Sequence, residues 1–214
     1  MIYLSPRIAP EGFGYIASAH GQIGVKHLTR LWGCDNQVFT KKFDPVKFFR
    51  WLRFAKPYRE TCKFVVAPDV VGDCIATMRQ YPHFAGAIKA LGYPVAFAAQ
   101  DGQENYPLPN DYDCLFVGGS TVWKLSPASI GLIRQAQRRG KWVHVGRVNG
   151  LRRIGHCQSI GVDSIDGTHP CFEPDVAFRK ISNWMRQDVL FPAAAPERAE
   201  GQTGAGEQSE MELE

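Results

Sequence analysis

The stretch GVDSIDGT at residues 161–168 sets two carboxylates, Asp163 and Asp166, either side of a Ser-Ile step at the end of an apolar, strand-like run. Carboxylates are chemically useful in sets whose environments differ: one stays ionised to attack or to stabilise a cation, another exchanges a proton. Other apolar runs end in similar residues. LWGC is followed by Asp35 and Asn36, FVVAP by Asp69, VAFAA by Gln100 and Asp101, CLFV by Gly118, Gly119, Ser120 and Thr121, and WVHVG by Arg147 and Asn149. Each also has a plain structural reading. Asp69 precedes a helical pattern and suits an N-cap; Gly118-Gly119 suits a tight turn with positive φ; Gln100 suits loop backbone; Arg147 suits a solvated cation. Their recurrence at equivalent points of successive runs favours one shared site.

The elements that must position these residues alternate. Strand candidates are Ile2–Leu4, Tyr15–Ser18, Leu31–Cys34, Phe64–Ala67, Val95–Ala99, Leu115–Val117, Trp142–Val145 and Val162–Ile165. Helix patterns lie between the later ones. Pro45–Lys56 follows Asp44 and opens on proline, a good first helical residue. Residues 73–91 are helical with an interruption expected near Pro82, 127–139 start after the cap residue Ser126 and end at Gly140, and 149–159 and 174–187 follow. This rhythm predicts a parallel sheet with crossover connections. A doubly wound sheet would normally carry a glycine-rich phosphate loop, and neither G-x-G-x-x-G nor a Walker-type loop occurs. The prediction is therefore an α/β fold of the (β/α)8 TIM-barrel type, complete or reduced, because a barrel builds its site from the C-terminal ends of many strands. An eighth strand is hard to find after Asp166; Ile2–Leu4 is the run that would close the barrel.

Composition sets the boundaries. Residues 1–191 read as one globular domain, and 192–214, rich in Ala, Gly, Glu and Gln, as a disordered acidic tail. The tail holds one of the 25 basic and six of the 21 acidic residues, which leaves the body 24 basic against 15 acidic, a net +9. Such a body suits a polyanion such as nucleic acid; surface charge serving solubility is the plainer reading. The apolar runs are far shorter than the ~20 residues of a membrane span, and the N-terminus lacks the pattern of a secretory signal, so a cytosolic protein without membrane contact is expected. Six scattered cysteines without a C-x-x-C pair predict free thiols, no metal and no cofactor.

The ordered motifs CDNQVFT (34–40), VAPDVVGD (66–73), FAAQDGQ (97–103), FVGGSTVWK (116–124), HVGRVNG (144–150) and GVDSIDGT (161–168) resemble those of the tRNA-guanine transglycosylase superfamily. They are most similar to its shorter branch, found in phage and bacterial DNA 7-deazaguanine modification systems. The resemblance spans roughly Leu31 to Thr168. It implies a (β/α)8 barrel that exchanges guanine in a polynucleotide for a 7-deazaguanine base such as preQ0. On the matching positions, Asp35 would be the general acid/base and Asp166 the nucleophile, with Asp163 structural or orienting. Asp69 would accept from the purine N1–H and 2-amino group, Gln100 would donate to O6, and Gly118, Gly119 and Ser120 would approach the base edge. Lys41, Lys42, Arg147, Arg152 and Arg153 would grip phosphates along a basic rim. Asn36 and Gln37 replace small residues of the family pattern, Lys124 stands where the tRNA enzymes have Glu, and no zinc motif follows Asp166, so DNA is favoured over tRNA. Two other functions fit the same residues: a non-catalytic nucleic-acid-binding partner subunit, and a free-nucleoside glycosyltransferase or hydrolase. The chain is compatible with a homo-oligomer.

Overall fold

The computed structural model describes residues 1–187, so the predicted tail and the last residues of the predicted domain lie outside the described residues. Eight strands pair in parallel and close into a barrel: β1 (Ile2–Ser5), β2 (Gly14–Ala17), β3 (Trp32–Cys34), β4 (Cys62–Val66), β5 (Val95–Ala99), β6 (Cys114–Val117), β7 (Trp142–Val145) and β8 (Ser164–Asp166). Closure comes from β1 pairing with β8, with Leu4 opposite Asp166. The barrel is complete, and the N-terminal run supplies the strand that is missing after Asp166. Among the described residues no helix is long and apolar enough to cross a membrane.

Six helices cover the outside: α1 (Pro45–Ala55), α2 (Cys74–Ala90), α3 (Thr121–Lys124), α4 (Pro127–Arg138), α5 (Leu151–Ile160) and α6 (Pro174–Arg186). Local chemistry fixes their ends. Asp44, Asp73 and Ser126 cap α1, α2 and α4 by accepting the backbone N–H three residues on, and Gly161 at φ 71° ends α5. Asp73, not Asp69, is therefore the cap of α2. That helix also runs unbroken through Pro82, against the expected interruption, because the proline sits on its exposed side while Tyr81, Ala85 and Ile88 remain buried. The β1–β2, β2–β3 and β5–β6 connections carry no α-helix, only 3₁₀ turns in the last two.

The interior follows from strand alternation, since every second side chain points inward. Register pairs Ala96 with Cys114, Ala98 with Phe116, Phe116 with His144, and His144 with Ser164. Leu4, Ile16, Phe64, Val66, Ala96, Ala98 and Cys114 form the inner apolar cluster, and a second, larger cluster joins the outer strand faces to the helices. Small residues face large ones: the Phe64 ring lies where a side chain on Gly33 would be. Continuing the alternation past the strand ends aims Asp35, Gln100, Gly118 and Asp166 into the mouth.

Candidate active site

A cavity of about 420 Å³ occupies the C-terminal mouth, the end at which barrels of this kind place their chemistry. Asp35, Asp69, Gln100, Gly118, Arg147 and Asp166 all line it, together with Asn36, Phe39 and Arg7. The predicted residues from six different strand ends are thus brought together.

Asp166 ends β8. Its Oδ1 accepts the Arg147 amide N–H at 2.6 Å, and its Oδ2 lies 3.3 Å from Nε2 of His144. Burial works against its ionisation, but the His144 ring, the Arg147 amide and the Lys124 ammonium outweigh it and hold the carboxyl below its ordinary value. Asp35 experiences the reverse. Burial, opposed by the Gln37 amide N–H but reinforced by the charges of Asp166 and Asp69, pushes it up to about 6. Asp163 has no place in this group: at the opposite end of β8 its Oδ2 accepts the Val143 N–H at 2.8 Å, a strand-pairing role.

Asp69 and Gln100 form a fixed edge. Gln100 Oε1 accepts the Gly72 N–H at 3.1 Å, which turns its amide nitrogen toward Asp69 Oδ2 at 2.7 Å. Asn36 donates at 2.8 Å to Asp69 Oδ1 and at 3.0 Å to the Ala67 carbonyl, so this substituted position serves to orient the carboxylate. Burial raises the Asp69 carboxyl, while Asn36 and Arg147 pull against it. The edge offers carboxylate acceptors beside an amide with one N–H left over. Gly118 is there for close approach, without positive φ: a Cβ would stand 2.7 Å from Gln100 Nε2 and 3.1 Å from the Ala99 carbonyl. Gly118→Ala is expected to displace Gln100 and lower stability by about 1–3 kcal/mol, read by denaturant unfolding.

Several expectations need correction. Gly119 and Ser120 do not line the cavity: Ser120 caps α3 through Trp123 N–H and binds Asp101 through both its amide and its hydroxyl at 2.6 Å, and a side chain on Gly119 would strike Asp101 and Trp123. Arg147 is not a free rim cation. With φ at 60° its amide reaches Asp166, while its guanidinium turns back to the Gly118 and Gly119 carbonyls at 3.1 and 3.0 Å and lies 4.0 Å from the centre of the Phe39 ring. Lys41, Lys42 and Arg152 are exposed on loops or helix starts at the mouth end, and Arg153 is half-buried near Lys124. Lys124 is buried; it donates to the Gly146 carbonyl at 2.6 Å, and burial with the nearby arginines lowers it to about 8 despite Asp166.

The sequence reading passed over His144, Phe39 and Arg7. His144 shares the inward face of β7 with Trp142, a signal present in the W-V-H-V alternation. Phe39 is 56% exposed inside the cavity wall, a flat apolar face open to a ligand. Arg7 donates to Gln22 and, at 3.1 Å, to the Cys171 carbonyl across the mouth.

No protein-family model matches this sequence, and no curated protein matches it. Among solved structures, the chain is similar to 3-hexulose-6-phosphate synthase from Salmonella typhimurium at 17% identity and a TM-score of 0.43, over 78% of this chain and 82% of that one. A second 3-hexulose-6-phosphate synthase aligns at 12% identity and a TM-score of 0.41, over 76% and 81%.

Proposed function

We propose that this protein is a base-exchange transglycosylase, which replaces guanine in a polynucleotide, DNA in preference to tRNA, with a 7-deazaguanine base such as preQ0. The observation that carries this reading is the pair of inward carboxylates in one cavity whose environments shift them in opposite directions: Asp166 held below its ordinary value and Asp35 pushed up to about 6. That division fits a nucleophile and a proton carrier. The ordered motifs from Leu31 to Thr168 support the same assignment, and the Asp69–Gln100 edge matches the donor and acceptor pattern of guanine.

The chemistry proceeds in two halves. A guanine flipped from its stack enters the mouth, at an unstacking cost of a few kcal/mol, with Phe39 available as a stacking face. An Asp166 oxygen forms a bond to C1′ as the C1′–N9 bond breaks, the developing positive charge at the sugar being stabilised by the carboxylate. The electron pair goes to the departing base, which takes a proton from Asp35. In the second half the incoming base gives its proton to Asp35, its N9 bonds to C1′, and the bond to Asp166 breaks.

Opposite pH dependences follow for the two halves. Guanine release, followed in single turnover without an incoming base, needs protonated Asp35 and is expected to fall about tenfold per pH unit above about 6. Incorporation, started from the intermediate, needs the ionised form and falls below that pH. Two limbs of the same sign would remove Asp35 from the proton-carrying role.

Incubation with radiolabelled guanine or preQ0 and duplex DNA, single-stranded DNA or unmodified tRNA tests the reaction. Label is expected to enter DNA, with rates that drop as salt rises because the rim cations contact phosphate. Salt-independent turnover of free nucleosides would support the free-nucleoside reading instead, and nucleic-acid binding without any incorporation would support the partner subunit.

A further inference from the structure

The interior of the barrel directly beneath Asp166 is polar where its surroundings are apolar. His144 and Ser164 are fully buried, and the His144 ring packs against Phe64 and Phe116, whose ring centres each stand 4.9 Å from its own. Apolar side chains of similar volume would fill this layer without the cost of desolvating an imidazole and a hydroxyl. The polar groups are instead joined in a chain. Trp142 Nε1 stands 2.8 Å from Ser164 Oγ, Ser164 Oγ stands 2.9 Å from His144 Nδ1, and His144 Nε2 stands 3.3 Å from Asp166 Oδ2.

The polarity of that chain is set at its start. An indole N–H can only donate, so Ser164 Oγ accepts from Trp142 and has its own proton to place. Among the described residues, the remaining partner of that hydroxyl is Nδ1 of His144. Nδ1 is then an acceptor, and the ring proton sits on Nε2, facing the carboxylate. We infer that His144 is a positioning residue for Asp166: Ser164 locks its Nε2–H tautomer, and the ring N–H on Oδ2, with the Arg147 amide on Oδ1, fixes the plane of the carboxylate at the cavity floor. Two donors on the two oxygens prevent rotation and stabilise the anion. The inference rests on Asp166 being the reactive carboxylate of the proposed exchange, but its test does not require turnover.

Nuclear magnetic resonance of the full-length protein supplies the direct readout. With ¹⁵N-histidine, long-range correlations assigned by loss of the signal in His144→Phe are expected to place the proton on Nε2 and leave Nδ1 bare. Ser164→Ala is expected to abolish that fixed tautomer. With ¹³C-aspartate, the Asp166 titration is expected to move up in His144→Phe, while the other groups facing it, Asp35, Tyr3, Lys124 and the Arg147 guanidinium, are unaltered by substitution. Phenylalanine preserves the packing against the two neighbouring rings; should it fail to fold, His144→Leu, which also lacks the N–H, and Ser164→Ala, which frees the tautomer with the imidazole in place, give the comparison. In the exchange assay, kcat is expected to fall about 10- to 100-fold in His144→Phe with KM for the base unchanged, the effect of one hydrogen bond to a charged group, and to recover partly in His144→Gln. A proton on Nδ1 in the unaltered protein, or an Asp166 titration indifferent to His144, would overturn the inference. Absence of base exchange alongside the expected resonance results would instead count against the proposed reaction and leave the positioning role standing.

Discussion

Asp166→Asn is expected to abolish base exchange, by about 10⁴-fold or more, while leaving the fold and nucleic-acid affinity intact. Asparagine has nearly the same shape and can still accept the Arg147 amide N–H through its carbonyl oxygen, although its amide nitrogen then meets the His144 N–H and forfeits that one hydrogen bond. It lacks the charge and nucleophilicity needed to form a bond to C1′, and neither Arg147 nor Lys124 can substitute for it. The effect should lie in kcat, because in the proposed reaction Asp166 acts on the reacting carbon and the Asp69–Gln100 edge holds the base. Label incorporation, measured beside a binding isotherm for the same oligonucleotide, separates these. Incorporation at an unaltered rate would show that the bond is made elsewhere, or that water attacks directly.

Asp35→Asn is expected to give the opposite pairing, lower activity and higher stability. The carboxyl of Asp35 is pushed up to about 6 from an ordinary 3.8, chiefly by burial, so the folded protein holds this proton more tightly than the unfolded chain does. The sign follows directly. The favourable contribution is fully present below pH 3.8 and is lost as pH rises through about 6, after which the folded state carries a buried charge at a cost of about 3 kcal/mol. Asparagine removes the charge and keeps an oxygen for the Gln37 amide N–H, which Asp35 accepts at 3.1 Å. Denaturant unfolding at pH 7.5, ~1.5 units above that value, should therefore show the variant to be the more stable protein, and at pH 4 the difference should vanish. Exchange should fall about 10²- to 10⁴-fold for want of a proton carrier. A variant less stable than the parent at both pH values would mean that the carboxylate is held by favourable contacts and not by function.

Much of this arrangement is legible in the sequence because a barrel repeats one local rule. Strand alternation carried past the strand ends picks out Asp35, Gln100, Gly118 and Asp166, and these face one cavity with Asp69, which lies one residue out of phase beyond Pro68. Asp69 also suits an N-cap by its position before a helical pattern, but the structure gives that role to Asp73, which leaves Asp69 free to meet Asn36 and Gln100. What the sequence hides depends on distant partners or unusual backbone. Ile2–Leu4 is legible as the run that would close the barrel, but its register against Ser164–Asp166, which sets Leu4 opposite Asp166, is not. The left-handed backbone of Arg147 is not encoded by its residue type, yet it converts a presumed surface cation into part of the cavity wall. Residue type alone does not separate Asp163 from Asp166 in GVDSIDGT; the resemblance does, and in the structure Asp163 pairs strands just before β8 while Asp166 ends β8 at the cavity.

The central claim, that Asp166 bonds to C1′ of the nucleotide that loses its guanine, is tested most directly by intact-mass measurement. The protein is incubated with a guanine-containing oligonucleotide in the absence of any incoming base, then quenched and weighed. The expected product is an adduct equal in mass to the protein plus the oligonucleotide lacking one guanine, absent from Asp166→Asn and chased by added preQ0. Label incorporation by the unaltered protein with no such adduct, or an adduct that persists in Asp166→Asn, would contradict it.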